Sequence, residues 1–261
     1  MNGFGMLACP RCHGRWAVCT AGDLPDYNAD YESADHLVYR RYAQELRQIQ
    51  DGGQPPLYWF QRRQLDRISP FGQRRLLEIG CGNGMFLLAA RRAGWDAVGL
   101  EVAKHAAELA AETSSCPVHV GRLDDLTIDR PAFEVISGFE ILEHVLDPLG
   151  ELRAMAAALM PGGILTLSVP NDRSPHTRAP TDPEGNPPYH INFFAPRTLL
   201  TVLQDVGLER LWLYEKPFAW TEAHSSFRTR LLMLPWLVLA GYVLGRKGSR
   251  LVAWARKPPA P

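Results

Sequence analysis

Short apolar runs alternate with helical patterns along most of the chain after Arg74. The runs predict strands, and apolar residues at helical spacing between them predict helices. We expect seven strands, at 75–80, 97–101, 118–120, 133–139, 164–170, 209–214 and 251–255, and helices at 85–93, 103–112, 148–160 and 196–206. This alternation is typical of a parallel sheet with crossover helices, so the expected fold class is α/β, with a doubly wound seven-stranded sheet. The run at 164–170 is interpreted as fully apolar and is expected to be a central strand.

Two further regions precede this predicted domain, which we place at 72–257. Residues 1–30 carry cysteines without a regular pattern, and we interpret them as a degenerate segment that resembles a zinc ribbon. In residues 31–71, apolar and aromatic residues at helical spacing flank a DGGQPP turn, which predicts a cap of two helices. Within the domain, residues 171–190 are rich in proline and lack periodicity, which is typical of a lid or binding loop.

The strongest local signal is the sequence EIGCGNG, from Glu78 to Gly84, at the end of the first predicted strand. Gly80, Gly82 and Gly84 allow a sharp turn into the following helix and let a ligand approach the backbone. Glu101 ends the second predicted strand, where a carboxylate can accept hydrogen bonds from both hydroxyls of a ribose. The arrangement suits any cofactor with adenine and ribose, and the alternative for Glu101 is a solvated strand end.

The spacing of the glycines argues against a nicotinamide dinucleotide. In the dinucleotide fingerprint the third glycine lies five residues after the first, so that the pyrophosphate sits at the helix N-terminus. Here Gly84 lies four residues after Gly80, and Met85 occupies the position that the fingerprint needs small. The turn therefore disfavours a cofactor with a pyrophosphate.

Six segments together resemble the class I S-adenosylmethionine-dependent methyltransferases, close to the bacterial group of ubiquinone-type and polyketide or sugar O-methyltransferases. They occur in the family's order and cover about 72–257: LLEIGCGNGMFL, VGLE, GRLDDL, FEVISGFEILEHVLDP, MPGGILTLSVPN and YHINFFAPRTL. The resemblance implies a Rossmann-like fold, S-adenosylmethionine as the cofactor, and a methyltransferase activity.

The same resemblance implies a set of cofactor-binding residues at the carboxyl ends of the strands, where open α/β sheets bind ligands. Glu78 and the glycine turn would hold the methionine end of the cofactor, and Glu101 would hold the ribose. Leu123 and Asp124 would lie at the adenine. The predicted set, whose last two members would border the sulfonium, is Glu78, Gly80, Cys81, Gly82, Gly84, Glu101, Val102, Leu123, Asp124, Phe139 and Glu140, with no chemical role for Cys81.

Two histidines are the candidate catalytic residues. Methyl transfer from a sulfonium is an in-line displacement, so the enzyme mainly aligns the acceptor and excludes water, and a hydroxyl acceptor also benefits from a general base. His144 is the first candidate because imidazole titrates near neutral pH and because family members carry a histidine there. His190 is the second. For each, the alternative is a residue that only anchors its loop, and Glu143 is either a cofactor-side carboxylate or a solvated helix start.

The N-terminal sequence CPRCHG has the shape of one zinc knuckle, because two cysteines separated by two residues can bind one tetrahedral ion. Cys9, Cys12 and Cys19 are therefore candidate ligands of a structural zinc. Where a second cysteine pair would need its partner, the chain carries Gly22. The alternative is a ribbon that lacks the metal.

Charge and hydropathy restrict the expected partners. The chain has 28 basic and 28 acidic residues, so we expect no nucleic-acid partner. An export signal is not recognisable at the N-terminus, which favours a cytoplasmic location. The apolar segment from Leu231 to Leu244, in a predicted helical insertion at 228–246, is too short to span a bilayer, which needs about 20 residues. Its cationic flanks predict either a peripheral contact with the inner face of the membrane or a buried helix pair.

The activity expected from these observations is methyl transfer from S-adenosylmethionine to an oxygen of a small or lipid-linked molecule. One alternative is a methyltransferase that acts on RNA or protein through the N-terminal knuckle. The other is a catalytically silent module that only binds the cofactor.

Overall fold

A computed structural model describes residues 3–32, 37–50, 53–68, 74–126, 131–174, 185–215 and 248–259. The strands are β1 (Met6–Ala8), β2 (Arg15–Ala17), β3 (Arg75–Ile79), β4 (Asp96–Glu101), β5 (Val118–Val120), β6 (Phe133–Phe139), β7 (Leu159–Pro170), β8 (Asn192–Phe193), β9 (Glu209–Glu215) and β10 (Arg250–Arg256). The helices are α1 (Tyr27–Glu32), α2 (Leu37–Gln50), α3 (Trp59–Ile68), α4 (Met85–Arg92), α5 (Lys104–Ser114), α6 (Pro148–Ala158) and α7 (Pro196–Asp205).

Seven strands form the main sheet, in the order β5-β4-β3-β6-β7-β10-β9. The five strands from β5 to β7 pair in parallel, whereas β10 is antiparallel to both of its neighbours, β7 and β9. The predicted α/β class and the seven-stranded sheet are confirmed. The expectation of a parallel sheet is wrong for β10, because an apolar run indicates a strand without indicating its direction.

The fifth strand of the main sheet differs most from its predicted form. Strand β7 begins at Leu159 and includes the PGG turn, and its pairing with β6 changes register between Phe133 and Val135. It lies inside the sheet, as expected, but it is not fully apolar. Thr166 and Ser168 are buried, and the Thr166 hydroxyl donates to Ser137 Oγ at 2.9 Å. Hydrogen bonds to Ser137 and Glu140 let the Thr166 and Ser168 hydroxyls lie in the core.

The sheet has a hydrophobic core on each face, because successive side chains of a strand point to opposite sides. On β3, Leu76 packs in a cluster with Phe60 and Phe86, from α3 and α4. Its neighbour Leu77 belongs to a second cluster with Leu152 of α6 and with side chains of α7. Helices therefore cover both faces, which agrees with the expected doubly wound arrangement.

The N-terminal region is more regular than predicted. Strands β1 and β2 form an antiparallel hairpin, and β2 also pairs with β8, which follows the proline-rich loop. The Arg15 guanidinium binds the buried Asp172 carboxylate, with Nε donating at 3.0 Å. Thr198 Oγ1 donates to the Cys12 carbonyl at 3.1 Å. The interpretation of this region as irregular is wrong, because strands of three residues are too short to show a periodic pattern.

Two predicted features fall outside the described residues. They are most of the predicted lid loop, 175–184, and the predicted helical insertion at 228–246, with the apolar segment from Leu231 to Leu244. In the part of the chain that the structure describes, no helix combines the length and the hydropathy needed to cross a membrane.

Candidate functional site

The glycine turn joins β3 to α4 and is bound to the end of β4. Gly80, Gly82 and Gly84 have φ values of +66°, +54° and +78°, a conformation in which a side chain is strained. The Gly80 amide donates to the Leu100 carbonyl at 2.7 Å, and the Gly82 amide donates to Glu101 Oε2 at 3.0 Å. The predicted turn and the predicted carboxylate thus form one site.

Two buried carboxylates lie under this turn. Glu78 is 3% exposed and Glu101 is 5% exposed. Burial raises the pKa of both groups, and for Glu78 the charge of Glu101 raises the pKa further. Glu101 Oε1 also accepts from the Ala103 amide at 3.0 Å, which rules out the solvated strand end. Among the described residues, no basic group contributes to the pKa of either carboxyl, which favours a ligand that brings hydrogen-bond donors or positive charge.

The residues at this turn fit S-adenosylmethionine. Within the described residues, Glu78 Oε2 is buried and has no hydrogen-bond partner. Each Glu101 oxygen accepts one backbone amide, and a carboxylate oxygen has capacity for a second donor such as a ribose hydroxyl. The ammonium and hydroxyl groups of the cofactor would supply the donors that these acceptors lack. The assignment of Glu78 and Glu101 to the cofactor stays a prediction that the geometry supports.

Helix α2 covers the glycine turn through two residues that were not among the predicted site residues. A Cβ atom on Gly82 would lie 2.3 Å from the Tyr42 hydroxyl, so this tyrosine lies directly over the turn. Glu45 accepts a hydrogen bond from Asn83 Nδ2 at 2.7 Å. The amphipathic pattern of α2 predicted a cap, but nothing in the pattern identified which residues contact the turn.

The third glycine of the turn has a packing role. A Cβ atom on Gly84 would lie 2.7 Å from the Ala110 carbonyl oxygen and 2.9 Å from its Cα, both backbone atoms of α5. Gly84 therefore lets α5 pack against the turn, whatever the ligand.

Cys81, also in the turn, is buried, and burial raises the pKa of its thiol. A thiol with a raised pKa is a poor nucleophile, and no chemical role is predicted for it.

The remaining predicted cofactor residues lie at the same edge of the sheet but differ in exposure. Val102 is 46% exposed, and Asp124 is also exposed, so both can meet a ligand. The Leu123 side chain is buried in the core, and its place at the adenine stays a prediction. Phe139 is buried between Phe60 and Phe86, with ring centroids 5.6 and 5.0 Å away.

Glu140 is held by a hydrogen-bonded ion pair. It has a φ of +57°, and its carboxylate accepts from Ser168 Oγ at 2.7 Å and from Arg250 Nε at 2.8 Å. Burial opposes ionisation, but the Arg250 charge and the Ser168 hydrogen bond outweigh it and lower the pKa of Glu140. The Arg250 guanidinium also lies over the rings of Tyr58 and Phe60, at 5.8 and 5.9 Å. An aromatic wall beside a carboxylate was not predicted.

Both candidate catalytic histidines lie next to each other beside Glu143. The ring centroids of His144 and His190 are 4.7 Å apart. Burial lowers the pKa of His144 to about 3 and that of His190 to about 4, so both rings are neutral at pH 7. Glu143 is fully buried, so its interpretation as a solvated helix start is wrong. Their catalytic roles stay predictions.

The cysteine knuckle forms, but without the third predicted ligand. The Cys9 amide donates to the Gly14 carbonyl at 2.8 Å. Hydrogen bonds from the backbone amides of Cys12 and Arg11 lower the pKa of the Cys9 thiol, and a side-chain hydrogen bond with Cys12 lowers it further. Within the described residues, Cys19 does not join them in a group of three or more ligand atoms lying within 4.8 Å of one another. The sole group of this kind there is Glu143, His144 and His190.

Comparisons with known proteins assign the chain to a family. Residues 39–212 match the family model described as a methyltransferase domain. A ubiquinone biosynthesis O-methyltransferase of Cereibacter sphaeroides is 31% identical over 182 residues, which are 63% of this chain and 73% of that protein.

Solved structures share the fold at lower identity. An S-adenosylmethionine-dependent methyltransferase from Mesorhizobium loti superposes with a TM-score of 0.55 at 20% identity, covering 76% of this chain and 97% of that one. Phosphoethanolamine N-methyltransferase 2 of Haemonchus contortus, in complex with S-adenosyl-L-methionine, gives 0.64 at 15% identity, covering 94% and 62%. These likenesses establish the fold alone.

Proposed function

The chain belongs to the S-adenosylmethionine-dependent methyltransferases, and on that premise we propose that it methylates an oxygen of a small or lipid-linked molecule. The observation that carries the proposal is the hydrogen bond of 3.0 Å between the Gly82 amide and the buried Glu101 carboxylate, which joins the two halves of the predicted cofactor site. The similarity to a protein named for O-methylation supports an oxygen acceptor.

The cofactor would be held at the carboxyl ends of β3 and β4. Glu78 and the glycine turn would bind its methionine end, and Glu101 would bind the ribose. When bound, S-adenosylmethionine supplies an electrophilic methyl group on a sulfonium. Tyr42 and Glu45 of α2 close the turn from above and thereby exclude water, which would otherwise compete with the acceptor.

The acceptor would lie beyond the end of β6. The buried rings of Phe139 and Phe60 pack against each other there, and Arg250 fixes the charge of Glu140 next to them. Alignment of the acceptor is the main contribution that an enzyme makes to an in-line methyl transfer, and we propose that these residues support it. His144 and His190 would act at the acceptor oxygen.

A macromolecular acceptor bound by the N-terminal knuckle is less favoured. Arg11 in the knuckle and Arg15 directly after it already form ion pairs within this chain, with Asp205 and Asp172 respectively.

Zinc bound by Cys9, Cys12 and Cys19 stays a prediction, which the zinc content of the purified chain would test. A lipid-linked acceptor that approaches along the membrane through the segment from Leu231 to Leu244 is also proposed, and flotation with anionic vesicles tests that contact.

A transfer assay tests the proposed function. The purified chain is incubated with S-adenosylmethionine labelled in its methyl group and with separate panels of hydroxylated small molecules, prenylated phenols, RNA and protein. We expect label in a small-molecule or lipid fraction, in an ether that resists mild base. Label only in RNA or protein would contradict the proposal, and binding of the cofactor without transfer to any panel would support the silent module instead.

A further inference from the structure

The N-terminal hairpin exposes large apolar side chains on one of its faces. Leu7 and Trp16 are directly opposed in the register of β1 and β2, and they are 51% and 39% exposed. Val18 continues this register, because its amide donates to the Gly5 carbonyl at 2.8 Å, and it is 55% exposed. Opposed residues, and residues two apart on one strand, lie on the same face of a sheet, so these three side chains form a continuous apolar surface.

The opposite face of the hairpin is held against the main domain. Ala17 is buried on that face, and Arg15 forms its ion pair with Asp172 there. A hairpin that is fixed on one side while it exposes large apolar side chains on the other is typical of an interaction site. Such a surface favours a ligand with an apolar part, because burial of apolar area is the contribution that it can make to binding.

The exposed face continues from the hairpin to the loop that follows β6. Asn192 of β8 is the register partner of Trp16, and its Nδ2 donates to the Val145 carbonyl at 2.6 Å. Leu146, the residue after Val145, is 41% exposed. The loop thus adds one more apolar side chain at the edge of the face.

Both candidate catalytic histidines lie close to this surface along the chain. His144 precedes Leu146 by two residues, and His190 precedes Asn192 by two residues. Two residues of extended chain span at most about 7 Å. A ligand whose reacting group lies at the histidines can therefore extend directly onto the apolar surface.

We propose that Leu7, Trp16, Val18 and Leu146, which we call the apolar patch, bind a hydrocarbon tail of the acceptor. The proposal rests on the proposed function, since it places the acceptor hydroxyl at the histidines. The patch offers on the order of 300 Å² of apolar surface, whereas each partner of a stable protein interface contributes about 800 Å². A hydrocarbon chain therefore suits the patch better than a second protein does.

The patch is largely separate from the domain that defines the family. Leu7, Trp16 and Val18 precede residues 39–212, which match the family model. The hairpin that carries them is attached beside the histidines through the pairing of β2 with β8. The hairpin would thus give this chain a preference for acceptors with an apolar tail, in addition to the cofactor site of the matched domain.

A series of alkylphenols tests the patch by binding, without any measurement of activity. The full chain, in the presence of S-adenosylhomocysteine, is titrated by calorimetry with phenol and with its butyl, hexyl and octyl derivatives. Burial of one methylene group strengthens binding about fourfold when the group is fully enclosed, and about twofold when one side stays in water. We therefore expect the affinity to rise about twofold for each methylene that the patch contacts.

Variants of the patch should lose this dependence on tail length. Trp16→Ser and Leu7→Ser should each weaken binding of octylphenol about fivefold or more and leave binding of phenol unchanged. Leu211 is 44% exposed on the edge strand β9, outside the patch. Leu211→Ser is therefore the matched control, and it should bind the whole series as the parent does.

The outcomes separate this proposal from the proposed function. An affinity of the parent that ignores tail length, or equal tail dependence in Trp16→Ser and Leu7→Ser, would overturn the patch even if alkylphenols are methylated. Circular dichroism of each variant ensures that a loss of binding is not a loss of fold. Tail-dependent binding that both variants lose would establish the patch even if no alkylphenol is methylated, in which case the proposed function alone would fail.

Flotation with vesicles of neutral lipid distinguishes a tail site from a membrane contact. We expect both variants to float as the parent does. Flotation that both variants lose, while their tail dependence stays that of the parent, would identify the patch as a membrane contact and overturn the proposal.

Discussion

Replacement of Glu101 by glutamine removes one charge from the proposed cofactor site and changes its volume little. The carboxylate accepts from the Gly82 and Ala103 amides, one to each oxygen, both at 3.0 Å. An amide has one oxygen, so its nitrogen must face one of these donors. Leaving a buried donor unpaired costs about 1–3 kcal/mol, and we expect the cofactor-free variant to lose stability by that amount.

We expect Glu101→Gln to weaken cofactor binding more than the same substitution at an exposed glutamate does. Hydrogen bonds to a charged group contribute about 1.5–3 kcal/mol each, against roughly 0.5–1.5 kcal/mol for neutral ones. Two ribose hydroxyls at a neutral acceptor should therefore lose about 2–3 kcal/mol, which is roughly a 30- to 160-fold weaker affinity. Isothermal calorimetry with S-adenosylhomocysteine measures this change.

A matched control separates the local effect from a general loss of acidic charge. Glu112 is exposed on α5, and Glu112→Gln should bind the ligand as the parent does. If folded Glu101→Gln bound S-adenosylhomocysteine within a factor of two of the parent, the assignment of this carboxylate to the ribose would be refuted.

Three further predictions follow from the same contacts. The pKa of Glu78 is raised well above its ordinary value of 4.5, so the folded state holds that proton more tightly than the unfolded state does. The resulting stability is complete below the ordinary pKa and is lost as pH rises through the raised one. Chemical denaturation without cofactor should therefore show Glu78→Gln gaining stability relative to the parent as the pH rises above the ordinary pKa, and a constant difference would count against it. Arg15→Ala leaves the buried Asp172 carboxylate without its guanidinium, and thermal unfolding should reveal a loss of about 1–3 kcal/mol, which an unchanged midpoint would contradict. Gly84→Ala should unfold more easily than Gly94→Ala, because both have a positive φ but only the first would place Cβ 2.7 Å from backbone; equal stabilities would refute the packing role.

Local patterns were sufficient for most of the main sheet and for the cofactor turn. The strand, the glycines and the start of α4 are adjacent in sequence, so their spacing predicted both the bend and the exclusion of a pyrophosphate. Glu101 was also predictable, because the end of the next parallel strand must lie beside the turn. Confirmation of β5 and β6 at their predicted bounds reflects the same short-range information.

Contacts between distant segments could not be predicted in this way. Tyr42 lies over Gly82, and β8 pairs with β2, across separations that no periodic pattern encodes. Glu143 looked like a helix start because it follows a strand, yet the packing around it makes it fully buried. His190, which is supplied by a separate loop, lies beside it, and no local pattern predicts that contact.

The central claim is that the bend between β3 and α4 holds the methyl donor. Calorimetric titration of the purified chain with S-adenosylmethionine, S-adenosylhomocysteine and oxidised nicotinamide adenine dinucleotide tests it most directly. We predict one binding site for each of the first two ligands, weakened in Glu101→Gln, and no heat from the dinucleotide. Uptake of the dinucleotide, together with no response to either sulfur nucleoside, would contradict the account.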